Sequence, residues 1–280
     1  MTATGNTARP LIQPLQQFTI PAAVIWPLLA ALFFFLCLRP VAPGDIYFLM
    51  LAGARTLDTG QVPHTDFFLY TVDGQNQLFG GWGFGVLAEL CNRMGGLIAV
   101  SCFSAALWSA TFVLGFMAAG VRLGRKINQP FTLPDITALL FAGAAIFQLV
   151  VNRTQQRPEV TAYLIWCLGI LLFERDRRNG TRHALLVYPL LVWAEAWLHT
   201  AGPILLLLPF GYLIDYIAQR WVSYKAQPSL AFQEIFPWLT SLLLALLLPV
   251  LNPNGIWQFY AHPMVQLQGL AHHAGIDLPA

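Results

Sequence analysis

Apolar residues in this chain gather into long unbroken runs of roughly 17 to 22 positions, separated by short polar stretches. Such runs match the ~20 residues that a helix needs to cross about 30 Å of hydrocarbon. They predict helices at about 20–39, 96–120, 133–151, 158–173, 183–199, 202–218 and 235–251. Polar connectors at 122–130, 174–182 and 219–228 divide them, and Pro134, Pro158 and Pro203 fall where a first helical turn tolerates proline. Only His199, Thr200, Ala201 and Gly202 separate the fifth and sixth runs, so that division requires either a tight helical hairpin or one long kinked helix.

Composition agrees with this reading. The 280 residues are 57% hydrophobic and 10% charged, whereas a soluble domain carries about 25% charged residues. The expected fold is an all-α polytopic membrane protein with about seven spans, forming a single transmembrane domain over 1–280. Ten Lys and Arg fall on the N-terminal side of that topology: Arg9, Arg122, Arg125, Lys126, Arg175, Arg177, Arg178, Arg182, Arg220 and Lys225. Five fall opposite: Arg39, Arg55, Arg93, Arg153 and Arg157. The bias places residues 1–19 in the cytoplasm, and the 40–95 loop and 252–280 tail outside. A net charge of +2 with no basic stripe gives no footprint for nucleic acid, so the bilayer is the expected partner. Cys37, Cys102 and Cys167 lie inside apolar runs, Cys91 beside one, and none has metal-ligand spacing.

The 40–95 loop is far longer than a connector needs, and long ordered loops are commonly functional. Asp45 stands where a helix N-cap would precede a helix from Ile46 to Asp58, with Gly60 as its terminator. Its apolar face suits the membrane surface. A second short helix is expected from Trp82 to Asn92. Asp45 lies just past the first run, and a carboxylate held at a water–membrane boundary can serve as a general base. Asp66 is either a turn-former or a binding residue. Arg153 and Arg157 are either interfacial side chains, with Glu159 near the latter, or phosphate-neutralising groups. Glu195 and His199, four positions apart inside a predicted span, share a helix face, and an ionisable pair within a span is a functional candidate. Two residues alone cannot complete a tetrahedral metal site, so no cofactor is called for and a divalent ion lacks support. There is no phosphate-binding glycine loop, dinucleotide fingerprint, serine elbow or zinc-protease helix.

The stretch from Gly44 to Arg55 and the run Gly60-Gln61-Val62-Pro63-His64-Thr65-Asp66-Phe67-Phe68-Leu69-Tyr70-Thr71 resemble the first extracytoplasmic loop of bacterial GT-C membrane glycosyltransferases. Arg157-Pro158, Trp193-Ala194 with His199, and Leu251-Asn252-Pro253-Asn254-Gly255 look like later motifs of the same branch. The resemblance implies a GT-C-like fold in a bacterial inner membrane and inverting transfer of a sugar from a polyprenyl-phosphate carrier. In it, Asp45 takes the acceptor's proton, Arg153 or Arg157 neutralises the departing phosphate, and Asp66, Glu195 and His199 bind substrate. The branch has Trp and His where this chain carries Tyr47, Phe48 and Leu49, and its members are usually longer. A second reading is therefore a noncatalytic subunit whose aromatic faces pack in a larger membrane complex, such as a pigment–protein assembly. A solute transporter is a third, disfavoured by the scarcity of charges within the runs.

Overall fold

The computed structural model describes residues 18–42, 44–65, 67, 74, 79–226 and 228–257. Among them, nine α-helices follow one another: α1 (Ala22–Cys37), α2 (Asp45–Thr59), α3 (Trp82–Arg122), α4 (Leu133–Val150), α5 (Glu159–Asn179), α6 (Ala184–Leu198), α7 (Gly202–Leu205), α8 (Leu207–Ala226) and α9 (Pro228–Leu247). Two short strands, β1 (Thr19–Ile20) and β2 (Phe131–Thr132), pair antiparallel with Thr19 opposite Thr132. Each predicted run coincides with a helix to within several residues. The fifth and sixth are separate: His199 is fully extended at φ −156° and ψ −179°, and the Tyr188 hydroxyl donates to the Leu205 carbonyl at 2.9 Å. In one continuous helix those residues would stand about 25 Å apart, so the chain folds back here.

Among the described residues, four segments are long and apolar enough to cross a membrane: Trp82–Arg122, Leu133–Arg153, Gly202–Lys225 and Phe232–Val250. The apolar helices Ala22–Cys37 and Ala184–Leu198 are shorter. At 16 and 15 residues they rise only about 24 and 22 Å, short of a ~30 Å hydrocarbon layer. The count of seven expected from the runs thus reduces to four on length and hydropathy.

Local sequence explains the ends. Gly60, in the left-handed region at φ 71°, closes α2 by donating to the Thr56 carbonyl at 2.8 Å. The other end of α2 corrects the expected cap: Gly44, at φ 153°, is the N-cap and Asp45 is the first helical residue, with no side-chain cap bond. Glycine supplies a conformation there that other residues rarely adopt, and this moves Asp45 inside the first turn, where the helix dipole still favours its charge. The expected Trp82–Asn92 helix runs on into the following span, the two limbs meeting at a bend where Gly95 and Gly96 leave helical geometry. At α4, Thr132 and Asp135 form a reciprocal capping box: the Asp135 carboxylate accepts the Thr132 N–H at 2.8 Å.

Two apolar cores hold the bundle together. The first joins α1, α2 and α3, with Phe33 stacked on Phe112 at 4.4 Å between centroids. The second joins α5, α6, α8 and α9 around the fully buried Tyr188 and the Phe173–Trp238 stack. Helix α3 links the two through its long contact with α5, where a Cβ on Gly115 would meet Cys167 Sγ at 3.5 Å. All four cysteines are free thiols.

Candidate functional site

One end of the bundle gathers most of the singled-out residues, and a glycine seam assembles it. Gly80 and Gly81 precede α3 and Gly83 and Gly85 lie in its first turn, and together they face Thr200, Pro158, Trp197 and Leu49. A Cβ on Gly83 would collide with the Trp197 carbonyl, one on Gly85 with the Leu49 carbonyl, and one on Gly53 with Gly85. At Gly80 it would come within 2.8 Å of the Thr200 methyl, and at Gly81 within 2.9 Å of Leu49 and 3.5 Å of Pro158. Only residues without a side chain allow three backbones to approach so closely. The seam therefore fixes α2, the start of α5 and the end of α6 around one point.

The loop between α4 and α5 is tied to the same end. Gln156 Nε2 donates to the Arg39 carbonyl at 3.1 Å, while Ser104 Oγ and Trp108 Nε1 both donate to the Gln155 carbonyl at 3.4 Å. Arg153 and Arg157 thus lie at the level of the first loop. Arg157 contacts Glu159 at 3.9 Å, the ion pair its sequence neighbourhood offers. Arg153 is exposed and makes no ion pair among the described residues. It is the single charged residue lining an apolar crevice of about 450 Å³ between α3, α4 and α5, walled by Trp108, Phe112, Phe116, Ile146, Val150, Tyr163 and Cys167. From Trp108 to Ala119 the crevice follows α3 for about 16 Å.

Asp45 is exposed and has no hydrogen-bond partner among the described residues. It sits one turn before Leu49, whose side chain meets Gly81 beside Pro158. Asp66 lies outside the described residues. Of the residues singled out, Arg153 lines the crevice, whereas Asp45, Arg157, Glu195 and His199 do not. The geometry brings Asp45, Arg153 and Arg157 to one boundary.

Glu195 and His199 do lie on one face, but they do not satisfy each other. Glu195 is 0% exposed. His199 Nδ1 stands 3.4 Å from its Oε1, yet the contact lacks hydrogen-bond alignment, and both carboxylate oxygens and Nδ1 are buried without partners. The indole nitrogens of Trp82 and Trp197, whose rings lie 5.5 Å apart, are also buried and unpartnered. Four orphaned polar side chains at one helix junction depart from the usual pairing of buried polar groups. The sequence puts Trp197 on the helix face next to Glu195 and His199 but gives no sign that Trp82 joins it; the glycine-rich run Gly80-Gly81-Trp82-Gly83-Phe84-Gly85 is the signal that could have. Among the described residues no three His, Cys, Asp or Glu side chains converge as a metal site would require.

The opposite end is differently built. Glu174, 3% exposed, accepts from Arg122 Nη1 and the Tyr212 hydroxyl, both at 2.8 Å, and lies 3.6 Å from Arg177. Arg125 pairs with Asp135 at 3.0 Å, and its carbonyl accepts from Arg178. Nine of the ten basic residues expected on the N-terminal side lie on the connectors of this end or the helix turns next to them.

Taken together, fold and surface define an all-α membrane protein. No family model matches the chain, and neither curated proteins nor solved structures provide a match.

Proposed function

We propose that this protein is a membrane glycosyltransferase of GT-C type, moving a sugar from a polyprenyl-phosphate donor to an acceptor at the face that carries the first loop. In this reading α1, the 97–122 limb of α3, α4, α5, α6, α7 with α8, and α9 make seven crossings, the shorter ones drawing the bilayer thin. The N-terminus is cytoplasmic and the membrane is a bacterial inner membrane. The observation that carries the reading is the apolar crevice with Arg153 at its first-loop end. An isoprenoid chain suits such a wall, and a guanidinium at its mouth suits a phosphate. Asp45, at the same boundary and unclaimed by a cap, acts as the general base, and Arg153 in preference to the Glu159-paired Arg157 meets the phosphate. Asp66, Glu195 and His199 complete the substrate site.

Transfer by the purified full chain from a short-chain polyprenyl-phosphate sugar tests this. Asp45→Asn is expected to lower turnover by at least about a hundredfold while the protein folds normally, since general-base contributions run to about 10²–10⁴. Turnover unchanged by that substitution rejects Asp45 as the base. Asp45 and Arg157 do not line the crevice that Arg153 enters, and that favours the second reading, a noncatalytic subunit of a larger membrane complex. Stoichiometric copurification with such a complex, together with absence of transfer, selects it.

A further inference from the structure

A second cavity lies across the bundle from the first loop, and its chemistry is different. It measures about 220 Å³ and sits among α5, α6, α8 and α9. Three guanidiniums line it, those of Arg177, Arg182 and Arg220, over an apolar floor that includes Phe173 and Trp238. Helix α5 starts at Glu159, beside Pro158 at the first-loop end, and reaches Arg177 in the cavity wall with a rise of about 27 Å. The cavity therefore stands one membrane thickness from the glycine seam.

The walls supply more hydrogen-bond donors than acceptors. Each guanidinium carries five N–H groups, yet among the described residues the three together make one side-chain hydrogen bond, from Arg182 to the neutral Tyr216 hydroxyl at 3.2 Å. Arg177 lies 3.6 Å from Glu174 and 3.5 Å from Asp215, and Arg220 lies 3.2 Å from Glu234, ion pairs without hydrogen-bond alignment. Of the two lining carboxylates, Asp176 accepts from the Thr181 hydroxyl and from the Ala184 N–H that opens α6, and Asp215, besides facing Arg177, accepts from Gln219 at 2.8 Å.

Tyr212 and Asp215 line both this cavity and an adjoining wide groove of about 640 Å³ between α5 and α8, whose other lining residues are the Arg122–Glu174 pair and the apolar Trp166, Ile170, Leu207, Leu208 and Gly211. Three guanidiniums against two carboxylates, beside a groove with largely apolar walls, match the two parts of a phospholipid. Basic pockets between helices on the cytoplasmic side are a known form of headgroup recognition.

We infer that the cavity lined by Arg177, Arg182 and Arg220 binds the phosphate-bearing headgroup of an anionic phospholipid, whose acyl chain lies in the adjoining groove between α5 and α8. The inference is independent of the transfer reaction. Helices α5 and α8 are then bridged by a lipid as well as by their side chains.

The test uses the full chain in mixed micelles containing phosphatidylglycerol or phosphatidylcholine with identical acyl chains, with retained lipid counted by native mass spectrometry. Wild-type protein is expected to retain phosphatidylglycerol over phosphatidylcholine. The double variant Arg177→Gln, Arg182→Gln is expected to lose affinity for phosphatidylglycerol about thirtyfold, two surface charges' worth. Arg39→Gln, at the other end, is expected to leave it unchanged. Equal retention of the two lipids by wild-type protein overturns the inference even if the double variant fails to fold. So does an Arg39→Gln variant that loses as much, because the effect is then one of overall charge. Displacement by glycerol 1-phosphate at the lipid's own concentration also overturns it, since the site would then take a soluble phosphate.

Discussion

The two ends of this bundle handle buried charge in opposite ways. At the basic end, Glu174 is held by Arg122, Arg177 and the Tyr212 hydroxyl. At the first-loop end, Glu195 is more deeply buried, yet neither oxygen has a hydrogen-bond partner, and the exposed Asp45 and Arg153 are equally uncommitted. A matched network holds connectors in place. Unmatched groups cost stability, because a buried carboxylate without donors has exchanged its hydration for nothing, and such arrangements persist where a substrate or proton supplies the missing partner. The contrast separates a buried carboxylate held by three side chains from one that accepts no hydrogen bond.

That contrast can be broken at its foundation by closing the glycine seam. Gly85→Val introduces a side chain where even a Cβ would overlap the Leu49 carbonyl. Overpacking in a core costs about 1–3 kcal/mol, and here backbone must move, so the expected result is loss of α2 docking, a protein that no longer survives size-exclusion chromatography, and no transfer. Full retention of fold would show that α2 is not anchored by the seam.

A smaller effect is expected from Glu174→Ala. It removes two hydrogen bonds from a carboxylate that is 3% exposed, and bonds to charged groups are worth about 1.5–3 kcal/mol each before relaxation. A drop in Tm of several degrees in detergent should be measurable, with Tyr212→Phe giving a fraction of it.

Glu195→Gln should do least to stability, within about 1 kcal/mol and on the stabilising side, because the carboxyl group has no hydrogen bond to lose, His199 Nδ1 standing 3.4 Å away without one. If its Tm falls as far as that of Glu174→Ala, the two ends are built alike and Glu195 is not a functional group.

Much of the architecture was legible because hydrocarbon imposes a length and a composition on each crossing. The runs at 133–151 and 183–199 match α4 and α6 closely, and Gly60 closes α2 as its position required. Reading the site was harder. Asp45 stood out by its place after the first run, but the residue that caps α2 is Gly44, and no local pattern distinguishes an acid at the cap from one just inside. The spacing of Glu195 and His199 showed a shared face but could not show that they fail to bond. The crevice beside Arg153 was not legible at all. It is formed by Trp108 on α3, Ile146 on α4 and Tyr163 on α5, three positions joined by tertiary packing rather than by any periodicity.

Helix α4 is fastened at its extremities. One is pinned by the pairing of Thr132 with Thr19 and by the Arg125–Asp135 bridge, the other by the loop that Gln156 ties to Arg39. Between these anchors Gly143 is its one buried residue. A rod strung this way resists sliding along its axis but bows outward easily, because few apolar contacts restrain its middle. Under the proposed function, an isoprenoid chain in the neighbouring crevice would lie against a wall held at its ends rather than along its length.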